Sequence, residues 1–412
     1  MNGIPQLIDT LTAIFHQHAI LSIGILLFVG YSLGKLCEIV KLPAITGYIL
    51  AGLILGKSIT GIISPQMGHN LSDITEIALG FIALSIGGEF SIAKIRQTGF
   101  NILVLTIFEA IFAYIFVTSI LFFIGLDYRI AFILGAISAA TAPAATVIII
   151  KELRARGEFV DYLYGVVAFD DAVCVMLFSI TFSIVSPMLT GIEVKGGISH
   201  AVMELALSFV TGGIGGTLIH MLTIKKYRIN EIMLISLSIL FLVSAASMIF
   251  GFSPLIANMA MGATIVNLSS KNRRIFIIIE PLTPPIFALF FILAGTELDI
   301  SIFAKGGVVI YSILYILGRF AGKFAGILGA GSIIKAPEAV RKFLGFCLFP
   351  QAGVAIGLAL FVQASPMALN APLHVKEMFI LIVNIVLLSV FINELVGPII
   401  SKFGIKKGTG LY

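Results

Sequence analysis

Along the 412 residues, apolar runs of mostly 15 to 26 residues alternate with short loops that carry most of the charge. The runs lie near 19–34, 43–56, 74–88, 100–125, 130–150, 162–185, 201–222, 232–250, 253–268, 275–295, 308–331, 343–362 and 378–400. Such lengths suit helices crossing a hydrocarbon core of about 30 Å and are too long for barrel strands. In lipid only a helix or a closed barrel satisfies every backbone polar group. The pattern predicts an all-α polytopic membrane protein with 13 transmembrane helices. The second and third runs are short, bounded by Pro43 and by Gly87-Gly88-Glu89, and are expected to be tilted, broken or extended through their loops.

Two runs carry a helix-breaking patch near their middle. The fifth contains Thr141-Ala142-Pro143-Ala144-Ala145 and the twelfth contains Phe349-Pro350-Gln351-Ala352-Gly353. An odd offset of seven spans makes the two run in opposite directions, the arrangement of inverted repeats whose discontinuous helices meet at a midplane ion site. Proline removes a backbone donor and leaves a carbonyl unpaired, so Pro143 and Pro350, with Gln351 and Gly353, mark helix ends and free carbonyls where a cation could be held.

Composition agrees with this class. With 59% hydrophobic residues, 11% charged ones and a mean hydropathy of +1.11, an average water-soluble globule is excluded. The net charge of +5 and pI near 9.0 could suggest an anionic partner. In a membrane protein, however, basic residues mostly report orientation. If the N-terminus is outside, 19 of the 26 Lys and Arg residues flank internal loops and only 5 flank external ones. The expected setting is a prokaryotic inner (plasma) membrane, with the C-terminus cytoplasmic, lipids as neighbours and no nucleic-acid partner. Cys37, Cys174 and Cys347 are too few and too scattered for a disulfide framework or a zinc site, and no cofactor is expected.

The chemistry concentrates in the sixth run, where Asp170 and Asp171 sit side by side. An aspartate at the centre of a membrane helix costs roughly 2.5–3.5 kcal/mol on insertion scales, and residues carrying that cost usually mark an ion or proton path. Neighbours on a helix point about 100° apart, so the two cannot form a facing dyad and must have different jobs. Arg319 lies comparably deep in the eleventh run, with Lys323 one turn later on the same face. A base at that depth needs an anion, so one aspartate is expected to pair with Arg319 or Lys323. The other is left to take either a proton or a small cation, and that competition is sufficient for an antiporter. Thr141 is a candidate cation ligand through its hydroxyl, whereas Glu109 reads as a structural or relay group. The run Gly212-Gly213-Ile214-Gly215-Gly216 reads as a close-packing helix rather than a phosphate loop.

These motifs resemble the monovalent cation:proton antiporter-2 family, which includes bacterial Na⁺/H⁺ exchangers and the membrane domains of Kef-type potassium efflux systems. The carriers are the segment from Leu42 to Gly52, the break at Thr141-Ala142-Pro143, Phe169-Asp170-Asp171-Ala172, Gly318-Arg319-Phe320-Ala321-Gly322-Lys323, and the segment from Pro350 to Gly357. The resemblance implies a homodimer with a scaffold formed by residues 1–96 and 227–300, a linking helix at 197–226, and a mobile core at 97–196 and 301–412. It implies an elevator movement, with Asp171 as the main carrier of Na⁺ and H⁺, and Asp170 facing the basic position held here by Arg319. That position is often Lys in electrogenic members, and Arg cannot release its proton, so Lys323 is the group that could substitute.

The leading expectation is therefore a Na⁺ (or Li⁺)/H⁺ antiporter serving pH homeostasis and not an enzyme, with K⁺/H⁺ exchange on the same fold as the nearest rival. A sodium-coupled organic-anion symporter would need a larger polar cavity. An intramembrane aspartyl protease would need two facing carboxyls, normally from separate helices.

Overall fold

A computed structural model of the chain describes residues 19–39, 44–56, 58–63, 71–92, 99–142, 146–147, 149–150, 153–190, 198–225, 228–297, 307–364 and 371–410, and there the apolar runs are helical apart from the two breaks, at 139–142 and 348–352, and a few run ends. Among the described residues the helices are, in chain order, α1 (Ala19–Ile39), α2 (Ala44–Leu55), α3 (Ser72–Glu89), α4 (Phe100–Phe123), α5 (Tyr128–Ser138), α6 (Glu158–Thr190), α7 (Ile198–Thr223), α8 (Ile229–Ile249) and α9 (Pro254–Leu268). They are followed by α10 (Arg273–Ile279), α11 (Thr283–Glu297), α12 (Gly307–Ile333), α13 (Glu338–Cys347), α14 (Gly353–Ala364) and α15 (Leu373–Thr409). Among the described residues eight spans are long and apolar enough to cross a bilayer, one of them the Arg273–Thr296 stretch that combines α10 and α11. Shorter apolar helices accompany them, among them α2, α5 and α9.

The helices fall into two packing neighbourhoods. In one, α2 lies against α1 and α11, α3 against α9, and α9 against α7. In the other, α12 runs along α4, α5 packs on α4 and α6, and α15 on α13, α12 and α14. Large side chains such as Ile20, Phe28, Leu242, Ile249 and Ile399 point outward, as they must where the surrounding solvent is hydrocarbon. The expected close packing of the Gly212 to Gly216 run is present. A Cβ on Gly212 would collide with the carbonyl of Ala257 in α9, so these small residues let two backbones touch.

The same device controls the site. Residues 318–326 of α12 read Gly-Arg-Phe-Ala-Gly-Lys-Phe-Ala-Gly, a four-residue repeat that gives each residue type its own side of the helix. Its glycines face α4, where a Cβ on Gly322 would come within 2.6 Å of Ala113 Cα and one on Gly326 within 2.5 Å of Glu109 Cα. Its phenylalanines face the α13 end, where Phe320 stacks edge-on against Phe349 and Phe324 against Phe346. The basic residues point to the centre. Gly326→Leu is expected to force α12 off α4 and cost about 1–3 kcal/mol from overpacking, read as a lower melting temperature in detergent.

Candidate functional site

Both broken runs end a helix inside the protein, and a buried helix end must find partners for its last carbonyls. The chain resolves this by bringing the two breaks together. The amide N–H of Ala142 donates to the carbonyl of Pro350 at 2.9 Å, and Gln351 Nε2 donates to the carbonyl of Ile137 at 3.1 Å. Thr146 and Ser401 hydroxyls both donate to the carbonyl of Cys347. Pro143 lies outside the described residues.

Arg319 supplies the remaining donors. Its Nε donates to Ser138 O at 2.9 Å, its Nη1 to Phe349 O, and its Nη2 reaches Ala140 O at 2.7 Å, Leu348 O at 3.0 Å and Pro350 O at 3.3 Å. One guanidinium thus caps the C-terminal ends of α5 and α13 at once. The anion it requires is supplied by two helix ends, each carrying roughly half a negative charge. Of the two bases expected to pair with an aspartate, Arg319 forms no ion pair among the described residues, and its guanidinium donates to backbone carbonyls instead.

The basic partner of the Asp170 carboxylate is Lys323. Its Nζ lies 2.6 Å from Glu109 Oε2 and 3.4 Å from Asp170 Oδ1, with all three side chains at most 1% exposed. Glu109, expected as a structural or relay group, is therefore the nearer partner of this lysine. A signal for it existed in the sequence. It is the one charged residue in the 24-residue α4, and a lone acid in an apolar helix calls for a base on a neighbouring helix.

Asp171 is placed differently. It is half-buried and lines a cavity of about 400 Å³ between α3 and α6, together with Ser85, Ile86, Tyr164 and Val167. The side chain of Thr141 lies towards Asp170 and its backbone towards Asp171. Asp171 Oδ1, Asp170 Oδ2 and Thr141 Oγ1 are buried oxygens with no hydrogen-bond partner among the described residues. Oxygen donors of this kind suit hard cations. The break also holds a residue that the sequence did not single out. Tyr315 sits one turn before Arg319 and its hydroxyl accepts from Gln351 Nε2 at 2.9 Å, while Asn393 donates to Gln351 Oε1 at 3.3 Å. Gln351 is thereby held as a strut across the crossing. Gly353 starts α14 just beyond it.

The cysteines are free and buried, and the described residues hold no cluster of metal-ligating side chains.

Known proteins share this fold. The chain shares its fold with solved structures of the sodium proton antiporter MjNhaP1 from Methanocaldococcus jannaschii. The structure at pH 8 has a TM-score of 0.78 and 19% identity, covering 95% of this chain and 99% of that one. An electron-microscopy structure of the same protein gives 0.71 and 17%, covering 96% and 98%. Among curated proteins, a putative K⁺ efflux antiporter KefB from Alkalimonas amylolytica is 26% identical over 277 residues, 63% of this chain and 39% of that protein. A Na⁺/H⁺ antiporter from Enterococcus hirae is 24% identical over 293 residues, 69% of this chain and 75% of that one. The described match to the transmembrane sodium/hydrogen exchanger family runs from residue 23 to residue 402, nearly end to end, and the chain belongs to that family of membrane transporters.

Proposed function

We propose that the protein is a secondary active transporter that exchanges Na⁺ or Li⁺ for H⁺, with proton and cation competing for Asp171. One observation carries the reading: Asp170 is tied to Lys323 in a sealed interior, whereas its neighbour Asp171 faces a cavity with a carboxylate oxygen unspent. Charge balance supports it. Glu109, Asp170 and Asp171 bring three negative charges against two positive ones from Arg319 and Lys323, so a single proton or a single monovalent cation neutralises the cluster. The empty, charged site is then the state least able to cross an apolar barrier, which couples the two fluxes.

The same reading assigns residues 1–96 and 227–300 to a scaffold, 197–226 to a linking helix and 97–196 with 301–412 to a core that moves as an elevator, within a homodimer of 13-span subunits. Apolar contact between the groups favours sliding. Where α14 meets α3 and α11, Gly357 rests on Leu79, Ile82 and Phe290, with no directional bond among these to break. The N-terminus is outside and the C-terminus cytoplasmic in a prokaryotic inner membrane.

The test is a reconstituted liposome with an acidic interior and a pH-sensitive dye, given Na⁺, Li⁺ or K⁺ across pH 6.5 to 9. Dissipation by Na⁺ and Li⁺ but not K⁺ is the expected result. The likeness to a K⁺ efflux antiporter keeps K⁺/H⁺ exchange as the second reading. Dissipation by K⁺ alone would establish it.

A further inference from the structure

A larger cavity of about 660 Å³ lies beside the one that Asp171 lines, bounded by α3 on one side and by α10, the following turn and α11 on the other. The two cavities share a wall residue, Ser85. The larger one is lined by Arg273 and Glu280, and otherwise by Ser85, Thr283 and apolar side chains that include Phe276 and Phe287. Glu280 opens the 3₁₀ turn Glu280–Leu282 that separates α10 from α11, and it falls inside the apolar stretch Arg273–Thr296. Seven residues separate it from Arg273, or about 10 Å along a helix of 1.5 Å rise. It is exposed, and neither it nor Arg273 forms an ion pair among the described residues.

An ionisable side chain within a membrane crossing either pairs with a counter-charge or faces water. Among the described residues Glu280 has no such partner, so its solvent is the cavity. Low-dielectric walls such as Leu84, Phe276 and Phe287 focus the field of a single charge along the space between them.

We propose that Glu280 is a cation-collecting residue at the entrance of the transport path, raising the local concentration of monovalent cations between Arg273 at the rim and Ser85 at the approach to Asp171. Arg273 opposes it, and the two charges set the apparent cation affinity between them. The proposal rests on Asp171 being the carrier site.

The experiment measures cation-dependent proton movement in liposomes for Glu280→Gln, Glu280→Asp and Arg273→Gln, with Asp171→Asn as control. Glu280→Gln is expected to raise the cation KM about three- to tenfold, with saturating turnover within about twofold. Glu280→Asp should restore most of the affinity and Arg273→Gln should lower KM. Inert choline chloride should compress all three shifts by screening. An unchanged KM in Glu280→Gln, or shifts of the same sign in Glu280→Gln and Arg273→Gln, overturns the proposal.

A second measurement does not depend on transport. Ser85→Cys provides a thiol at the shared wall, while the native cysteines are buried. A cationic methanethiosulfonate is expected to label it faster than an anionic one of similar size, and adding Glu280→Gln should reduce that ratio at least about threefold. A ratio that does not respond to Glu280 removes its field from the path. If the ratio responds but Asp171→Asn still transports, the carrier assignment fails and the electrostatic one stands.

Discussion

Asp171→Asn is expected to lower cation-driven proton movement by at least about 100-fold while the protein folds, assembles and melts at a temperature no lower than the parent. Loss of function follows from the chemistry of the amide. Asparagine keeps the shape and one carbonyl oxygen but can neither carry a proton nor offer a negative charge, so both substrates lose their shared ligand. Retained stability follows from the packing. Asp171 Oδ1 has no hydrogen-bond partner among the described residues to lose, and the side chain borders a cavity of about 400 Å³ that already accommodates it. Removing its charge also relieves repulsion from Asp170 one residue away. Robust exchange by the purified variant would take Asp171 out of the carrier role. A lower melting temperature would reveal a structural function for it.

Much of the architecture is legible in the spacing of apolar residues, and the exceptions have physical causes. The run at 100–125 coincides with α4 to within two residues, because charge and glycine stop the helix where the apolar stretch stops. The run at 378–400 underestimates α15, which continues from Leu373 to Thr409, because hydropathy marks only the hydrocarbon-embedded part of a helix whose ends extend into water with Lys376, Lys402, Lys406 and Lys407. The run at 275–295 hides the turn at Glu280, since three apolar or proline-rich neighbours keep the average high.

At the site, residue types were legible and their partners were not. The expectation that a buried base seeks a carboxylate holds for Lys323 and fails for Arg319. The proline patches mark both helix ends and their free carbonyls, but nothing in the local sequence around Arg319 marks it as the donor to them. Only the meeting of two breaks, 30 and 181 residues away from Arg319, creates its ligand set.

That ligand set makes Arg319→Ala the substitution with the largest expected cost in stability. It leaves carbonyls of Ser138, Ala140, Leu348 and Phe349 without their donor at a place closed to water, and that of Pro350 with the Ala142 amide alone, together with two helix dipoles whose negative ends face each other. Breaking a buried charge-assisted network by removing one partner costs about 3–5 kcal/mol, enough to lower the melting temperature in detergent by roughly 5 °C or more. Arg319→Lys should recover only part of it. An ammonium has three donors and no planar fork, so it cannot span both breaks. The competing account, in which Arg319 exists to neutralise Asp170, predicts a different outcome for the double variant. If that pairing held, Asp170→Asn would rescue Arg319→Ala by removing the stranded charge. With Arg319 committed to carbonyls and Asp170 held by Lys323, adding Asp170→Asn should restore little or nothing. Substantial rescue would transfer the role of Arg319 from fastening the crossing to balancing the acid.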